Sequence, residues 1–378
     1  MVVGLNFSAF KSLFANSEGM AEGSEYVENT FSLKGLSQFI GEHPEYVSIA
    51  SFNVNEPDSG IFYGENIPRT MGTLGNLFLL IEYQRQVENG ILLPTTEINL
   101  TELNDFTLPG INQNDHEGTL EYLSEFEEPV TLDHAMSALL EYRSLALADY
   151  FWFTLGKQHL TALMDSLNLP QTEMPIPFSG IYSVIHPGMV THPTKAPQHF
   201  ANLAQVTRDS LFSRMIDASS FYASDAEARS VRTELFEKNR LSITFMEERD
   251  ALKFFPHSTA ADLTKLLHKI WADELISPEV SEAVKEKLRW SMSSEPIQRS
   301  FSDYGALYDN RMGMLSGFDF GTSIYDGHSS VQAVFFDKLP VAFWLHMSSN
   351  HMQEDYQQRV IWDPALYETT LSSIEKNQ

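Results

Sequence analysis

Extended segments lie near both ends of this chain, and helical patterns fill most of the sequence between them. Tyr46–Asn53 alternates apolar and polar side chains, and Val331–Phe336 and Val341–Met347 are rich in β-branched and aromatic residues. Such runs are typical of strands. Strands so far apart in sequence form one sheet only if the two ends of the chain meet. The sequence therefore predicts an α+β fold whose antiparallel sheet combines N-terminal and C-terminal strands.

The middle of the chain is predicted to be helical. Leu74–Val87 contains five consecutive apolar residues, so we expect a helix that is buried on all sides. Between Phe200 and Ile216 apolar residues recur at helical spacing, and we interpret the segment 187–255 as a helical insertion. The predicted parts are an N-terminal arm (1–32), an α/β part with the sheet (33–70 and 300–378) and a helical part that includes the insertion (71–299).

Composition excludes several classes of function. The 378 residues carry a formal net charge of −26, which would repel a nucleic-acid backbone. No apolar run reaches about 18 residues, the length that a membrane-spanning helix needs. The absence of cysteine excludes disulfides and thiolate chemistry, and the histidines lack the spacing of a metal motif. We therefore expect no nucleic-acid partner, no membrane span, no metal and no cofactor.

A series of short landmarks occurs in a fixed order along the chain. They are the strand–turn–strand–helix run Val47–Leu93 with its Ser59-Gly60 turn, the helix pair Leu139–Leu169, the Thr-x-x-Asp helix start at Thr259, and a C-terminal set of strands. Their order and spacing over residues 35–370 resemble the serine β-lactamase and penicillin-binding-protein family, in particular its class A enzymes. The resemblance implies a β-lactamase/transpeptidase-like fold and an active site built from three motifs.

The first motif of that family, S-x-x-K, begins a helix and supplies a nucleophilic serine and a lysine that handles its proton. Counting back from Gly90 places it at Thr73-Leu74-Gly75-Asn76. Thr73 keeps a hydroxyl, whereas Asn76 cannot take a proton near neutral pH. The resemblance therefore implies a degenerate first motif.

The second and third motifs are altered as well. Counting back from Gly156 puts Arg143-Ser144-Leu145 where the family has S-D-N, and Leu315-Ser316-Gly317 stands where it has K-T-G. The third motif thus keeps a hydroxyl and a glycine but loses its lysine. By the same analogy, the backbone amides of Thr73 and Phe318 would form the oxyanion hole.

These positions define the candidate site. The degenerate catalytic positions are Thr73, Asn76, Arg143, Ser144 and Ser316, and the expected ligand-binding residues are Thr73, Arg143, Ser316, Gly317 and Phe318. Arg143 is either a surface or ion-pair residue or the cation that replaces the one the third motif has lost. The loop Pro175–Ser183, where class A enzymes carry their deacylating glutamate, contains no carboxylate, and Glu173 is the nearest one.

The missing lysines and the altered S-D-N pattern favour a pseudoenzyme that binds a small or peptide-like ligand in the former active-site cleft. A second hypothesis retains acyl hydrolase or acyltransferase activity, through Thr73 or through Arg143, Ser144 and a histidine, with His328 as a substitute base. A third hypothesis is an interaction scaffold that acts through the helical insertion. The resemblance implies a periplasmic or extracytoplasmic location if a signal has been removed, and a cytoplasmic one otherwise.

Overall fold

The computed structural model describes residues 22–27, 33–126, 129–186, 196–239, 244–289 and 300–375. Within these residues the chain forms seven strands, interspersed with many helices. The strands are β1 (Val47–Asn53), β2 (Gly60–Tyr63), β3 (Arg69–Thr70), β4 (His257–Ser258), β5 (Phe301–Asp309), β6 (Leu315–Ser323) and β7 (Ser329–Phe336).

The helices of the same residues follow in chain order. They are α1 (Ser24–Val27), α2 (Lys34–Glu42), α3 (Asn76–Glu88), α4 (Leu100–Leu103), α5 (Gln113–Ser124), α6 (Leu132–Tyr142), α7 (Leu145–Leu155), α8 (Lys157–Leu167), α9 (Phe178–Ile185), α10 (Ala196–Leu203), α11 (Arg208–Ser224), α12 (Ala226–Asn239), α13 (Phe245–Ala251), α14 (Ala260–Trp271), α15 (Pro278–Leu288), α16 (Val341–Ser349), α17 (Met352–Trp362) and α18 (Pro364–Glu375). Short 3₁₀ turns precede β1, α3 and α5 and follow α13.

Five strands form one antiparallel sheet in the order β2-β1-β7-β6-β5. β1 pairs with β7 along its whole length, from Val47 opposite Phe336 to Asn53 opposite Ser330. The N-terminal hairpin and the three C-terminal strands thus share a sheet, which confirms the predicted α+β architecture. β3 and β4 form a separate two-stranded ladder.

Helices cover both faces of the sheet. Val47 and Ile49 on one face belong to an apolar cluster with residues of α2, α16, α17 and α18. On the other face the ring of Phe52 lies 6.0 Å from His268 of α14. Because the strand is enclosed from both sides, six of the seven residues of β1 are buried.

The chain divides into two compact units. Within the described residues, the helical unit consists of Gly75–Asn168 and Met174–Pro256, and the sheet unit contains the remainder. The sequence placed residues 257–299 in the helical part. In the structure α14 and α15 belong to the sheet unit instead, since α14 packs on β1 and β7.

Part of the predicted N-terminal arm belongs to the core of the sheet unit. Tyr26 of α1 is 3% exposed. Its ring lies 5.1 Å from that of Phe343, and its hydroxyl donates to Glu42 at 2.8 Å. The remainder of the arm, 1–21 and 28–32, lies outside the described residues.

The segment Val341–Met347, predicted as a strand, is the helix α16. Pro340 precedes it, and the carbonyl of Pro340 accepts the first helical hydrogen bond from the Trp344 amide at 2.8 Å. Phe343 and Met347 are buried against the sheet-unit core. A short aromatic run gives no clear periodicity, so packing against the core decided its conformation.

The predicted insertion packs within the helical unit. Its apolar set is buried, including Phe200, Leu211 and Met215. Helix α11 approaches α9 so closely that a Cβ added at Gly180 would lie 2.0 Å from the carbonyl oxygen of Met215. Residues 187–195 and 240–243 of the insertion lie outside the described residues.

Candidate functional site

Thr73 lies in the 3₁₀ turn Gly72–Gly75, directly before α3, and is 1% exposed. Its backbone N–H donates to Oδ2 of Asp309, the last residue of β5, at 2.5 Å. Gly72 makes this approach possible because it has a φ of +54°, and a Cβ at that position would lie 1.8 Å from the same oxygen. The turn at the first-motif position is therefore built around the carboxylate of Asp309.

The hydroxyl of Thr73 is not activated by any described residue. Its Oγ1 is buried and has no hydrogen-bond partner in the described part of the chain. The carboxylate of Asp309 contacts the amide of Thr73 and forms an ion pair with Arg311, whose Nε lies 3.1 Å from Oδ2. A nucleophilic hydroxyl needs a base within hydrogen-bond reach, and this arrangement offers none at Oγ1.

Asn76, which stands in place of the lysine, is the first residue of α3 and is 1% exposed. Its Nδ2 is buried and lacks a hydrogen-bond partner among the described residues. Buried polar atoms without partners are uncommon in native proteins. The first-motif position thus retains two such atoms, one on Thr73 and one on Asn76.

The residues predicted as the third motif lie on β6, which pairs with β5 on one side and β7 on the other. Ser316 and Phe318 are both fully buried. A Cβ at Gly317 would meet Tyr308 at 2.2 Å and Gln357 at 2.6 Å, so packing explains this glycine. These residues are interior to the sheet, which does not agree with a strand edge open to a ligand.

The predicted and the observed sets of C-terminal strands differ. The sequence prediction ordered them as the motif strand, then Val331–Phe336, then Val341–Met347. The third of these is a helix, and the three C-terminal strands are β5, β6 and β7. The first strand in the order is therefore β5, and its last residue, Asp309, is the register partner of Ser316. Sequence reasoning missed Asp309, since no local signal links it to Thr73.

The second-motif residues lie where α6 passes into α7. Arg143 ends α6 with a φ of 57° and is half-buried. Ser144 is fully buried and caps α7, because its Oγ accepts the N–H of Leu147 at 3.3 Å. The same Oγ lies 3.1 Å from Nδ1 of His116 on α5. The structure thus joins Ser144 to a histidine that sequence reasoning had not singled out.

Burial of His116 favours the neutral form of its imidazole. Burial lowers the pKa of His116, and the neighbouring Glu117 opposes that shift. Its Nε2 is buried and has no partner among the described residues. The Ser144 hydroxyl, which already accepts the Leu147 amide, can donate to Nδ1, and His116 would then carry its proton on Nε2.

A pocket of about 410 Å³ opens beside the second-motif turn, entirely within the helical unit. The loop and helix segment 104–117, the start of α7 and the end of α12 form its walls. Its lining residues are Asn104, Phe106, Thr107, Leu108, Pro109, Ile111, Asn112, Gln113, His116, Glu117, Leu120, Leu145, Ala146, Ser179 and Glu237. Pockets of this size accommodate small organic ligands.

Asp149 of α7 fixes the backbone at the start of α9. Its carboxylate accepts the N–H groups of Phe178 and Ser179 at 2.6 and 2.8 Å. Burial raises the pKa of Asp149 to about 7, while these donors and the charge of Arg232 lower it. Asp149 therefore positions Ser179, one of the pocket residues.

Two residues considered at the sequence level have other partners. Oε2 of Glu173 accepts the backbone N–H of His257 at 2.8 Å and lies 3.2 Å from its Nδ1, which ties Glu173 to β4. His328 lies at the β6–β7 turn and contacts Asp326 at 3.4 Å. That turn is at the far end of β6 from Ser316, roughly 20 Å away along the strand. His328 is therefore not a base for Thr73.

Comparison with known proteins identifies the fold. No protein-family model and no curated protein matches the chain. Among solved structures, the beta-lactamase from Sphaerobacter thermophilus DSM 20745 is 12% identical, with a TM-score of 0.51 over 84% of this chain and 94% of that one. A beta-lactamase from Chitinophaga pinensis DSM 2588 is also 12% identical, with a TM-score of 0.50 over 87% of this chain and 98% of that one.

These similarities, at low identity, are evidence of fold. The chain has a β-lactamase/transpeptidase-like α+β fold, which confirms the fold that the resemblance implied. In the part of the chain that the structure describes, no helix is long and apolar enough to cross a bilayer. The same residues hold no group of three or more potential metal-ligating side chains.

Proposed function

We propose that this protein is a non-hydrolytic member of the β-lactamase-like fold that binds a small or peptide-like ligand without acyl transfer. The observation that carries the proposal is the hydrogen bond from the Thr73 amide to the Asp309 carboxylate at 2.5 Å. In acyl transfer on this fold, by resemblance, that amide would stabilise the oxyanion. Here it is already bound to a negatively charged group of the protein itself.

The Asp309 carboxylate opposes acyl transfer in two ways. An oxyanion hole works through donors directed at developing negative charge, and loss of one donor typically costs a factor of about 10²–10³ in kcat. A carboxylate in its place adds repulsion between like charges, which the ion pair with Arg311 offsets only in part. The missing base at Thr73 removes a further factor of about 10²–10⁴.

The proposal is tested by measuring whether reactive probes modify the protein covalently. Purified protein is incubated with a fluorescent penicillin and, separately, with a fluorophosphonate, and intact mass is measured over hours with an active serine β-lactamase alongside. We expect no adduct and no turnover. The Thr73→Ala and Ser144→Ala variants identify the residue responsible for any adduct that forms. A stoichiometric adduct that disappears in Thr73→Ala would contradict the proposal.

The contact between Ser144 Oγ and His116 Nδ1 at 3.1 Å favours one second candidate, a hydrolase that uses this pair. Two features count against it. Ser144 is fully buried, and its oxygen is the cap of α7. Esterase activity on p-nitrophenyl acetate that Ser144→Ala abolishes and Thr73→Ala retains would establish this candidate.

A further inference from the structure

We propose that the pocket in the helical unit binds a small cationic amphiphile, an organic amine with an apolar body. This inference rests on the proposed function, because it names the ligand class for a protein that binds without acyl transfer. It departs from the anionic ligand that a replacement cation at Arg143 would favour, since Arg143 is not among the pocket-lining residues.

The walls of the pocket can bury an apolar body. Phe106, Leu108, Ile111, Leu120 and Leu145 all line it. At about 410 Å³ the pocket holds a ring with a short alkyl chain. Burial of each methylene group against such walls favours binding, because it removes apolar surface from water.

The charges of the lining residues indicate which polar group the ligand carries. Glu117 and Glu237 line the pocket, and both are exposed residues, which suits a position at its mouth. The fifteen lining residues include no lysine or arginine. Burial lowers the pKa of His116, which disfavours a positive charge on its imidazole. The lining therefore favours an ammonium group and disfavours a carboxylate.

The insertion helix α12 helps to build this site. Glu237 of α12 is a lining residue. From the same helix, Arg229 forms an ion pair with Asp105 at 3.1 Å, and Nη2 of Arg232 donates to the carbonyls of Asp105 and Thr107 at 3.3 and 3.4 Å. Both arginines are thus directed at the loop that forms the pocket wall. The insertion therefore contributes to the wall of the pocket and to the hydrogen bonding of its loop.

The experiment compares three probes of one shape by isothermal titration calorimetry at pH 7 and 0.15 M NaCl. The probes are 4-phenylbutylamine, 4-phenylbutanol and 4-phenylbutanoate. We expect the amine to bind at least ten-fold more tightly than the alcohol, and the carboxylate to bind most weakly. The imidazole NMR signals of His116 should shift on titration with the amine, which locates the binding.

Matched variants separate the pocket from the general negative charge of the protein. Glu237→Gln should weaken amine binding about five-fold or more and leave alcohol binding unchanged. Glu234→Gln, an exposed residue of the same helix that does not line the pocket, should leave both unchanged. Equal binding of the alcohol or the carboxylate, an equal effect of the two variants, or no binding below 1 mM would overturn the inference. None of these outcomes yields an acyl adduct, so failure here is distinct from failure of the proposed function.

Discussion

At residue 72 two requirements coincide, and only glycine meets both. The backbone has a φ of +54°, a conformation in which a Cβ is strained, and the space beyond it is occupied by the Asp309 carboxylate at 1.8 Å. Gly90 has a similar φ of +67°, but nothing lies within 4 Å of its added Cβ. A comparison of substitutions at Gly72 and Gly90 therefore distinguishes the cost of backbone strain from the cost of steric overlap.

We expect Gly72→Ala to lower the free energy of unfolding by roughly 2–4 kcal/mol, since overlap with Asp309 is added to the left-handed strain. Gly90→Ala should cost only about 1 kcal/mol. Urea denaturation of both variants measures the difference. Equal losses would mean that the contact between Gly72 and Asp309 adds nothing to stability.

At the scale of elements, a polar network lies between the sheet and α17. The hydroxyl of Tyr308 donates to Oδ2 of Asp319 at 2.8 Å and lies 2.7 Å from that of Tyr304. Asp319 on β6 and Gln332 on β7 are register partners. The Oδ1 atom of Asp319 and the Oε1 atom of Gln332 have no hydrogen-bond partner among the described residues. Protonation of Asp319 would give its carboxyl group a donor in this buried position.

Burial raises the pKa of Asp319 to about 7, and its hydrogen bonds from Tyr308 and Gln332 lower it only in part. The folded state therefore retains a proton that the unfolded state releases near pH 4. Stability from this group is complete below pH 4 and is lost as the pH rises to about 7. This slope is opposite to that of a salt-bridged carboxylate.

We expect Asp319→Asn, which imitates the protonated acid, to exceed the wild type in stability at pH 8 by roughly 2–4 kcal/mol and to match it near pH 4. The free energy of unfolding in urea at several pH values measures this. Asp58→Asn, a change at an exposed carboxylate, serves as the control and should leave the slope unchanged. A wild-type-like slope in Asp319→Asn would contradict the protonated state.

The same elements explain what could be predicted from sequence. β1, β7 and α3 carry strong periodic or continuous apolar patterns, and they were predicted close to their observed bounds. β5 interrupts its pattern with Asp303 and Gly305 and was missed. The strand prediction for Val341–Met347 was wrong, because this segment forms the helix α16. The contact of Thr73 with Asp309 spans 236 positions, and local pattern cannot reveal it.

At the scale of the whole molecule, charge is the dominant property. The chain has 51 acidic and 25 basic residues, which give the net charge of −26 near pH 7 and a pI of about 4.7. Repulsion among the excess carboxylates opposes the compact state, and salt screens it. The same repulsion fades as the pH approaches the pI.

We expect the urea midpoint at pH 7 to rise when NaCl is increased from 0.05 to 0.5 M. Near pH 4.7 the same change in salt should have little effect, because the net charge is then close to zero. Denaturation curves at both pH values provide the test. An identical salt effect at both would attribute it to ion binding or to hydrophobic burial, and not to net charge.

The hydrogen bond between Thr73 and Asp309 also affects which reactive probes can retain this protein. An anionic tetrahedral adduct, such as a boronic acid forms with a hydroxyl, needs a nucleophile and backbone donors that are free to bind its oxyanion. Here the donor of Thr73 is bound to an internal carboxylate, so we expect a boronate resin that retains active serine hydrolases to leave this chain in the unbound fraction. Reactivity would then not group this chain with the β-lactamases whose fold it shares, whereas comparison of folds does.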